Sequence, residues 1–322
     1  MKRRNSLALS PLLLLALTAT LAGQEPAQPL VRLNVIVTGE KGKPAGEVRR
    51  EDVRVFDEGA ERAVAYFSKE TLPVSYGLVV DNSGSLRTQM NAVIESARII
   101  VENNAPGDEA FVLRFVDRER INMMQGFTAD AARLQRALDE MYVEGGQTAL
   151  VDAVYLAAEH LQQKSKPAAD GPRRRALVLI TDGEDRQSYF KPDDLSALLR
   201  GSDIQIFCIG LVGALGGDRG LIRPSKREEA TELLKRLAAE TGGLAYAVKT
   251  GEDLLRAVTE ISNLLHTQYV VGYAPPADPS KKSFRRVEVK IADAPQGGKR
   301  KAVTRPGYAV AGAPSAEQKK EK

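Results

Sequence analysis

The stretch Gly77-Leu78-Val79-Val80-Asp81-Asn82-Ser83-Gly84-Ser85 decides the fold. Its first four residues form an apolar run, and the next five are small or polar. A strand with one face in water alternates apolar and polar residues. A strand covered on both faces has no such constraint, so a continuous run points to a parallel sheet between helices. Two more runs follow, Ala176-Leu177-Val178-Leu179-Ile180 and the segment 204–211. Helical patterns lie around them at 86–103, 130–142, 150–163, 192–199, 228–240 and 252–266. Alternating strands and helices predict an α/β domain over residues 74–267, with a doubly wound, mostly parallel sheet. Segments 111–115 and 121–125, separated by Asp117-Arg118-Glu119-Arg120, read as a hairpin at one sheet edge.

The flanks have a different character. Residues 31–70 contain short strand patterns at 33–38, 53–56 and 64–67, broken by turn residues such as Asp57-Glu58-Gly59. Strand patterns return over 268–310. Neither group makes a convincing core alone, so the N- and C-terminal strands are expected to pair into one small β-sandwich around the inserted α/β domain. Residues 311–322 read as a disordered tail. At the other end, Lys2-Arg3-Arg4, an apolar stretch from Leu7 to Leu21 and Thr20-Leu21-Ala22 compose a signal peptide over residues 1–23, with cleavage near Ala22 or Gly23. A polar, Pro-containing linker over 24–30 follows. The expected location is extracytoplasmic, periplasmic or secreted, with no transmembrane segment after cleavage.

Composition excludes several classes. The chain has 322 residues, 43% hydrophobic and 27% charged, as in folded proteins. Its formal charge of +4 resides mostly in the signal. Beyond residue 23 there are 43 basic against 42 acidic residues, which leaves no electrostatic footprint for nucleic acid. The single cysteine, Cys208, sits within an apolar run and reads as core, not as a nucleophile. His160 and His266, the two histidines, have no partner carboxylate in view and read as solvated or packed.

The chemistry concentrates in Asp81, Ser83 and Ser85, at i, i+2 and i+4 after a buried strand. In an extended loop this spacing points three side chains the same way. Thr148 lies in Gly145-Gly146-Gln147-Thr148 at the mouth of a helix, and Asp182 in Thr181-Asp182-Gly183 just past another buried strand. Together they offer three hydroxyls and two carboxylates. Mg²⁺, small and hard, takes oxygen ligands and keeps several waters. Two carboxylates, bound directly or through water, neutralise a dication without overcompensating it, so the ion can still accept a carboxylate from elsewhere. Mn²⁺ or Ca²⁺ would suit the same oxygens. Ligands of open α/β sheets bind beyond the strands' carboxyl ends, where the strand order reverses.

Asp81-Asn82-Ser83-Gly84-Ser85, Thr148 and Asp182-Gly183, in that order, resemble the complete metal-ion-dependent adhesion site (MIDAS) of von Willebrand factor type A (VWA) domains. The flanking segments 50–59 and 269–275 are similar to those of a bacterial, exported VWA-related subgroup. The resemblance implies a Rossmann-like fold and a Mg²⁺ site made by those five residues. It also implies adhesion or complex assembly without catalysis, the partner being a protein that presents an Asp or Glu carboxylate. In similar domains the last helix, here 252–266, shifts when ligand engages the metal.

Two other functions are consistent with the residues: an envelope-assembly scaffold with a structural metal, and a metal-assisted secreted hydrolase. The hydrolase lacks a plausible general base beside the five oxygens. A haloacid-dehalogenase phosphatase would want a second Asp where Ser83 stands, and serine β-lactamase motifs are incomplete. The Gly-rich segment 211–226 is expected to tune partner selectivity, and Glu184, Asp185 and Arg186 to line the rim.

Overall fold

The computed structural model describes residues 30–40, 45–164, 173–215, 224–276, 284–295 and 297–310. The segment read as a signal peptide, nearly all of the expected linker, the residues read as a C-terminal tail and residues 216–223 of the Gly-rich segment lie outside the described residues.

The chain opens with β1 (Val31–Gly39), β2 (Val53–Asp57), β3 (Ala60–Arg62) and β4 (Val64–Thr71). The α/β unit then runs β5 (Val74–Asp81), α1 (Met90–Glu102), β6 (Glu109–Phe115), β7 (Ile121–Thr128), α2 (Ala131–Asp139), α3 (Leu150–Lys164), β8 (Arg174–Thr181), α4 (Pro192–Arg200), β9 (Ile204–Gly210), α5 (Lys226–Thr241), β10 (Ala245–Ala247) and α6 (Gly251–His266). It closes with β11 (Thr267–Tyr273), β12 (Phe284–Ile291), β13 (Arg300–Val303) and β14 (Gly307–Ala309).

The central sheet has the order β10-β9-β8-β5-β6-β7, parallel throughout except for the edge strand β7, which forms the expected hairpin with β6. Successive residues of β5 feed opposite cores. Tyr76, Leu78 and Val80 pack with Val93, Leu134 and Ile261 of α1, α2 and α6. Val79 packs with Leu150, Leu195 and Leu237 of α3, α4 and α5. Every residue of β5 is buried, which is why its sequence shows no alternation. Gly77 is required by packing: a Cβ there would lie 2.2 Å from Cζ of Phe111 on the neighbouring strand.

The flanking strands form the expected small β-sandwich. One sheet runs β13-β1-β11-β4 and the other β14-β12-β2-β3, and each combines strands from both chain ends. Leu33, Val35, Val55, Val271 and Tyr273 fill the space between them. At its edge, fully buried Asp57 accepts hydrogen bonds from the Tyr273 and Tyr308 hydroxyls, both at 3.0 Å, and pairs with Arg285 at 2.7 Å. The two units are joined without slack: α6 passes directly into β11, and only Leu72 and Pro73 separate β4 from β5. At this junction Leu72 N donates to His266 O at 3.1 Å, and the Thr71 and Thr267 hydroxyls meet at 3.0 Å.

Several sequence expectations change. The first helix begins at Met90, not at residue 86, because Gly84–Leu86 form a separate 3₁₀ turn. The three-residue strands β3, β10 and β14 carry too little periodicity to be read in advance. His266 has a carboxylate partner after all: its Nε2 lies 2.6 Å from Asp108 Oδ2, while Nδ1 faces Ser262 O at 2.9 Å. Both ring nitrogens face acceptors, so the imidazolium suits the site, and the Asp108 contact raises the His266 pKa. His160 is packed against the rings of Phe111 and Phe127. Cys208 is fully buried, and burial alone pushes its thiol pKa up.

Candidate metal centre

β5 and β8 are adjacent in the sheet, and the chain leaves them in opposite directions, to β6 on one side and β9 on the other. Their carboxyl ends therefore flank the topological switch point. Asp81 is the last residue of β5, and Asp182 follows the last residue of β8. The register pairing Val80 with Ile180 brings both carboxylates to one end of the sheet.

Asp81 is fully buried, with both oxygens engaged. Oδ1 accepts the Ser83 amide at 2.9 Å and Oδ2 accepts the Thr181 hydroxyl at 2.6 Å. Burial, and next the charge of nearby Asp182, push its pKa up to about 7, against the opposing pull of the hydrogen bonds from Thr181 and Ser83. Asp182 is also buried. Its Oδ1 accepts the Glu184 amide at 3.0 Å, but its Oδ2 has no hydrogen-bond partner. An orphaned carboxylate oxygen beside a second buried carboxylate is an expensive arrangement without a cation. Gly183, at φ +84°, makes the turn behind it. A side chain there would be strained, and its Cβ would lie 3.0 Å from Ala230 Cβ.

The hydroxyls come from two loops. Ser83 is buried and extended, whereas exposed Ser85 lies in the 3₁₀ turn. The segment Asp81–Ser85 is thus not one extended loop, as its spacing suggested. The turn nevertheless brings Ser83 Oγ and Ser85 Oγ to 2.9 Å, while Asp81 folds back onto the Ser83 amide. Thr148 is buried just ahead of α3, and its carbonyl accepts the Arg186 and Gln187 amides at 2.8 and 3.2 Å, tying it to the loop that carries Asp182. Gly84 rests against Gly145, a built Cβ lying 3.8 Å from its Cα, so the two hydroxyl-bearing loops touch.

Among the described residues no group of three or more His, Cys, Asp or Glu side chains is arranged to hold a metal. A cation at this end of the sheet must therefore complete its shell with hydroxyls and water, and the donor set fits a hard ion. Sequence reasoning passed over Thr181, whose hydroxyl holds Asp81, and Asn82, fully buried with an unpartnered Oδ1 and its amide nitrogen donating to Tyr142 O at 2.9 Å. Thr181 stands directly beside Asp182 in the sequence, but nothing in the sequence marks its partner. Of the presumed rim residues, Asp185 instead caps α3, accepting the Val151 amide at 3.2 Å. Glu184 pairs with Arg186 and with Lys226.

The fold and site define a doubly wound α/β domain with an oxygen-rich, two-carboxylate centre at its switch point. The model of the von Willebrand factor type A domain matches residues 77–260, more than half of the chain, and the chain belongs to that family. Among solved structures it is similar to an aerotolerance-related membrane protein from Bacteroides fragilis, with 20% identity and a TM-score of 0.44 over 59% of this chain and 98% of that one. A von Willebrand factor type A protein from Catenulispora acidiphila shows 14% identity and a TM-score of 0.47 over 87% of this chain and 75% of that one. The proximal thread matrix protein 1 of the mussel byssus, solved with a zinc-occupied MIDAS motif, shows 18% identity and a TM-score of 0.47 over 63% of this chain and 48% of that one. No curated protein matches the sequence.

Proposed function

We propose that this chain is an exported protein-binding module without catalytic activity, in which Asp81, Ser83, Ser85, Thr148 and Asp182 hold one divalent cation that accepts an Asp or Glu carboxylate from a partner protein. Mg²⁺ suits the donor set best. The observation that carries this reading is the buried, unpartnered Oδ2 of Asp182 beside the buried carboxylate of Asp81. The bound cation supplies an electrophilic position that two carboxylates do not overneutralise. The chain's own residues do the rest: Thr181 and the Ser83 amide hold Asp81 in place, and the Glu184 amide orients Asp182. Neither histidine stands at this centre. His160 is packed against two phenylalanines and His266 pairs with Asp108 before β6, at the opposite end of the sheet, which favours binding over hydrolysis. Export is the reading of residues 1–23. Among the described residues no helix is long and apolar enough to cross a membrane.

The test is isothermal titration of MgCl₂ into the full chain and into Asp182→Ala, with capture of envelope proteins in Mg²⁺ and in EDTA. One saturable Mg²⁺ site in the wild type, lost in the variant together with Mg²⁺-dependent capture, is the expected result. Capture that survives in Asp182→Ala would refute a metal-centred interface and favour an assembly scaffold with a structural metal.

A further inference from the structure

Asp81, Ser83, Ser85 and Asp182 stand at or just after the ends of β5 and β8, but Thr148 has no such support. It lies in residues 141–149, between α2 and α3, which form neither helix nor strand. Its place in the site must therefore be set by contacts with other segments. Gly145 and Gly146 make this segment soft just ahead of Thr148, since glycine has the widest backbone freedom and no side chain to anchor.

Arg120 closes on those glycines. Its Nη2 donates to Gly145 O at 2.7 Å and its Nη1 to Glu144 Oε2 at 3.0 Å. Its Nε donates to Asp117 Oδ2 at 3.0 Å, so one guanidinium fork spans the β6–β7 hairpin tip and the segment that carries Thr148. The fit leaves no room for a side chain: a Cβ on Gly146 would lie 2.6 Å from Arg120 Nη2 and 2.6 Å from Val116 Cγ1. From the other side, Asn82 O accepts the Glu144 amide at 2.9 Å, and Arg114 Nη1 lies 2.8 Å from Glu144 Oε1. Gly84, between the two serines, rests against Gly145. Gly145 is thus held between the Arg120 fork and the loop of the serine hydroxyls.

The hairpin itself does not need this guanidinium. Asp117 Oδ1 accepts the Glu119 and Arg120 amides at 3.2 and 3.1 Å, and Val116 N donates to Arg120 O at 3.0 Å. Asp117 and the backbone close the tip, which leaves the fork free to reach residues 24 and 25 positions along the chain.

We propose that Arg120 is a positioning residue of the metal centre: it fastens Gly145 and Gly146 to the hairpin tip and so fixes the Thr148 hydroxyl for the cation. This rests on the metal-dependent reading above and adds to that site a residue that acts through Thr148. Two effects of opposite sign separate this role from simple electrostatics. Removing a positive charge near a bound cation reduces repulsion and tightens binding. Loosening a ligand weakens it, and loss of a group that orients a metal ligand costs about 10- to 100-fold in affinity.

The test uses the full chain, with Mg²⁺ affinity from isothermal titration and the NMR order parameter of the Thr148 methyl group in EDTA. For Arg120→Ala we expect Mg²⁺ binding about tenfold weaker. The Thr148 order parameter should fall while that of the Thr181 methyl, on β8, stays as in the wild type. In a Thr148→Ala background, Arg120→Ala should weaken Mg²⁺ binding no further, because the hydroxyl it places is gone. Arg120→Lys keeps the charge but lacks the fork, so it should act as Arg120→Ala does, and it carries the test if the alanine variant does not fold. Mg²⁺ binding that is unchanged or tighter, an unchanged Thr148 order parameter, or an equal loss in the Thr148→Ala background overturns the proposal alone. A wild type without a saturable Mg²⁺ site overturns the metal-centred reading beneath it, and with it the role of Arg120.

Discussion

Replacing Asp81 by Asn separates the cost of the buried carboxylate pair from its use. In the folded protein the Asp81 pKa is pushed from the ordinary 3.8 up to about 7, chiefly by burial and then by Asp182. Between those two values the folded state holds a proton that the unfolded chain has released. Stability of the metal-free protein must therefore fall as pH rises across this window, and the full penalty is present above about pH 7. At about 1.36 kcal/mol per pKa unit, the penalty is on the order of 4 kcal/mol. Asn is nearly isosteric and uncharged. It keeps one acceptor for the Ser83 amide but weakens the contact with the Thr181 hydroxyl, a loss of about 1 kcal/mol. In EDTA at pH 8, Asp81→Asn should therefore be more stable than the wild type by about 2–3 kcal/mol, raising the melting temperature by roughly 5–10 °C for a domain of this size. The advantage should shrink toward pH 5. Mg²⁺ should close the gap and then reverse the order: it stabilises the wild type by about 2.7 kcal/mol at a concentration about 100 times its Kd and by about 4.1 kcal/mol at about 1,000 times, and does nothing for the variant. Urea and thermal unfolding at pH 5 and 8, each with EDTA and with MgCl₂, read all these terms. A variant less stable than the wild type in EDTA at pH 8 would refute the reasoning, because burial beside Asp182 would then carry no net cost for the Asp81 charge.

Three further outcomes follow from the packing. The raised His266 pKa means that the pairing with Asp108 contributes stability fully below about pH 6.5 and loses it as pH rises through the folded-state value; His266→Gln should flatten this dependence, as followed by urea unfolding and by NMR titration of the ring. Asp57→Ala should cost about 3–5 kcal/mol, since it removes a buried ion-pair partner of Arg285 and the acceptor of the Tyr273 and Tyr308 hydroxyls, and calorimetry should show the loss. Gly77→Val forces atoms into the Phe111 ring and should prevent soluble expression at 37 °C, whereas Gly59→Ala, where a Cβ meets nothing within 4 Å and only the positive φ opposes it, should cost about 1 kcal/mol in urea unfolding.

The sequence separated the layers of this protein well because burial on both faces leaves a direct trace. The runs at 77–80, 176–180 and 204–211 became β5, β8 and β9, and the helices between them differ from expectation mainly at their ends. The loop through Ser85 was harder to read. Period-2 spacing implies an extended chain, but the extended backbone ends at Ser83 and the next residues coil into a 3₁₀ turn. Local spacing cannot tell these apart, since both leave the two hydroxyls close.

What the sequence determined by itself was the fold class, and which residue types stand at the ends of two buried strands. Both are local properties, written in hydrophobic pattern and chemistry within a few residues. What only the tertiary structure decided was which of those residues are neighbours and in what state. The Thr181 hydroxyl on Asp81, the open oxygen of Asp182, His266 on Asp108 across 158 positions, and Asp152 holding the Tyr189 and Phe190 amides all depend on contacts between distant segments. Such contacts form only when the sheet closes, because hydrogen bonds and desolvation act through space and leave no periodicity in the chain.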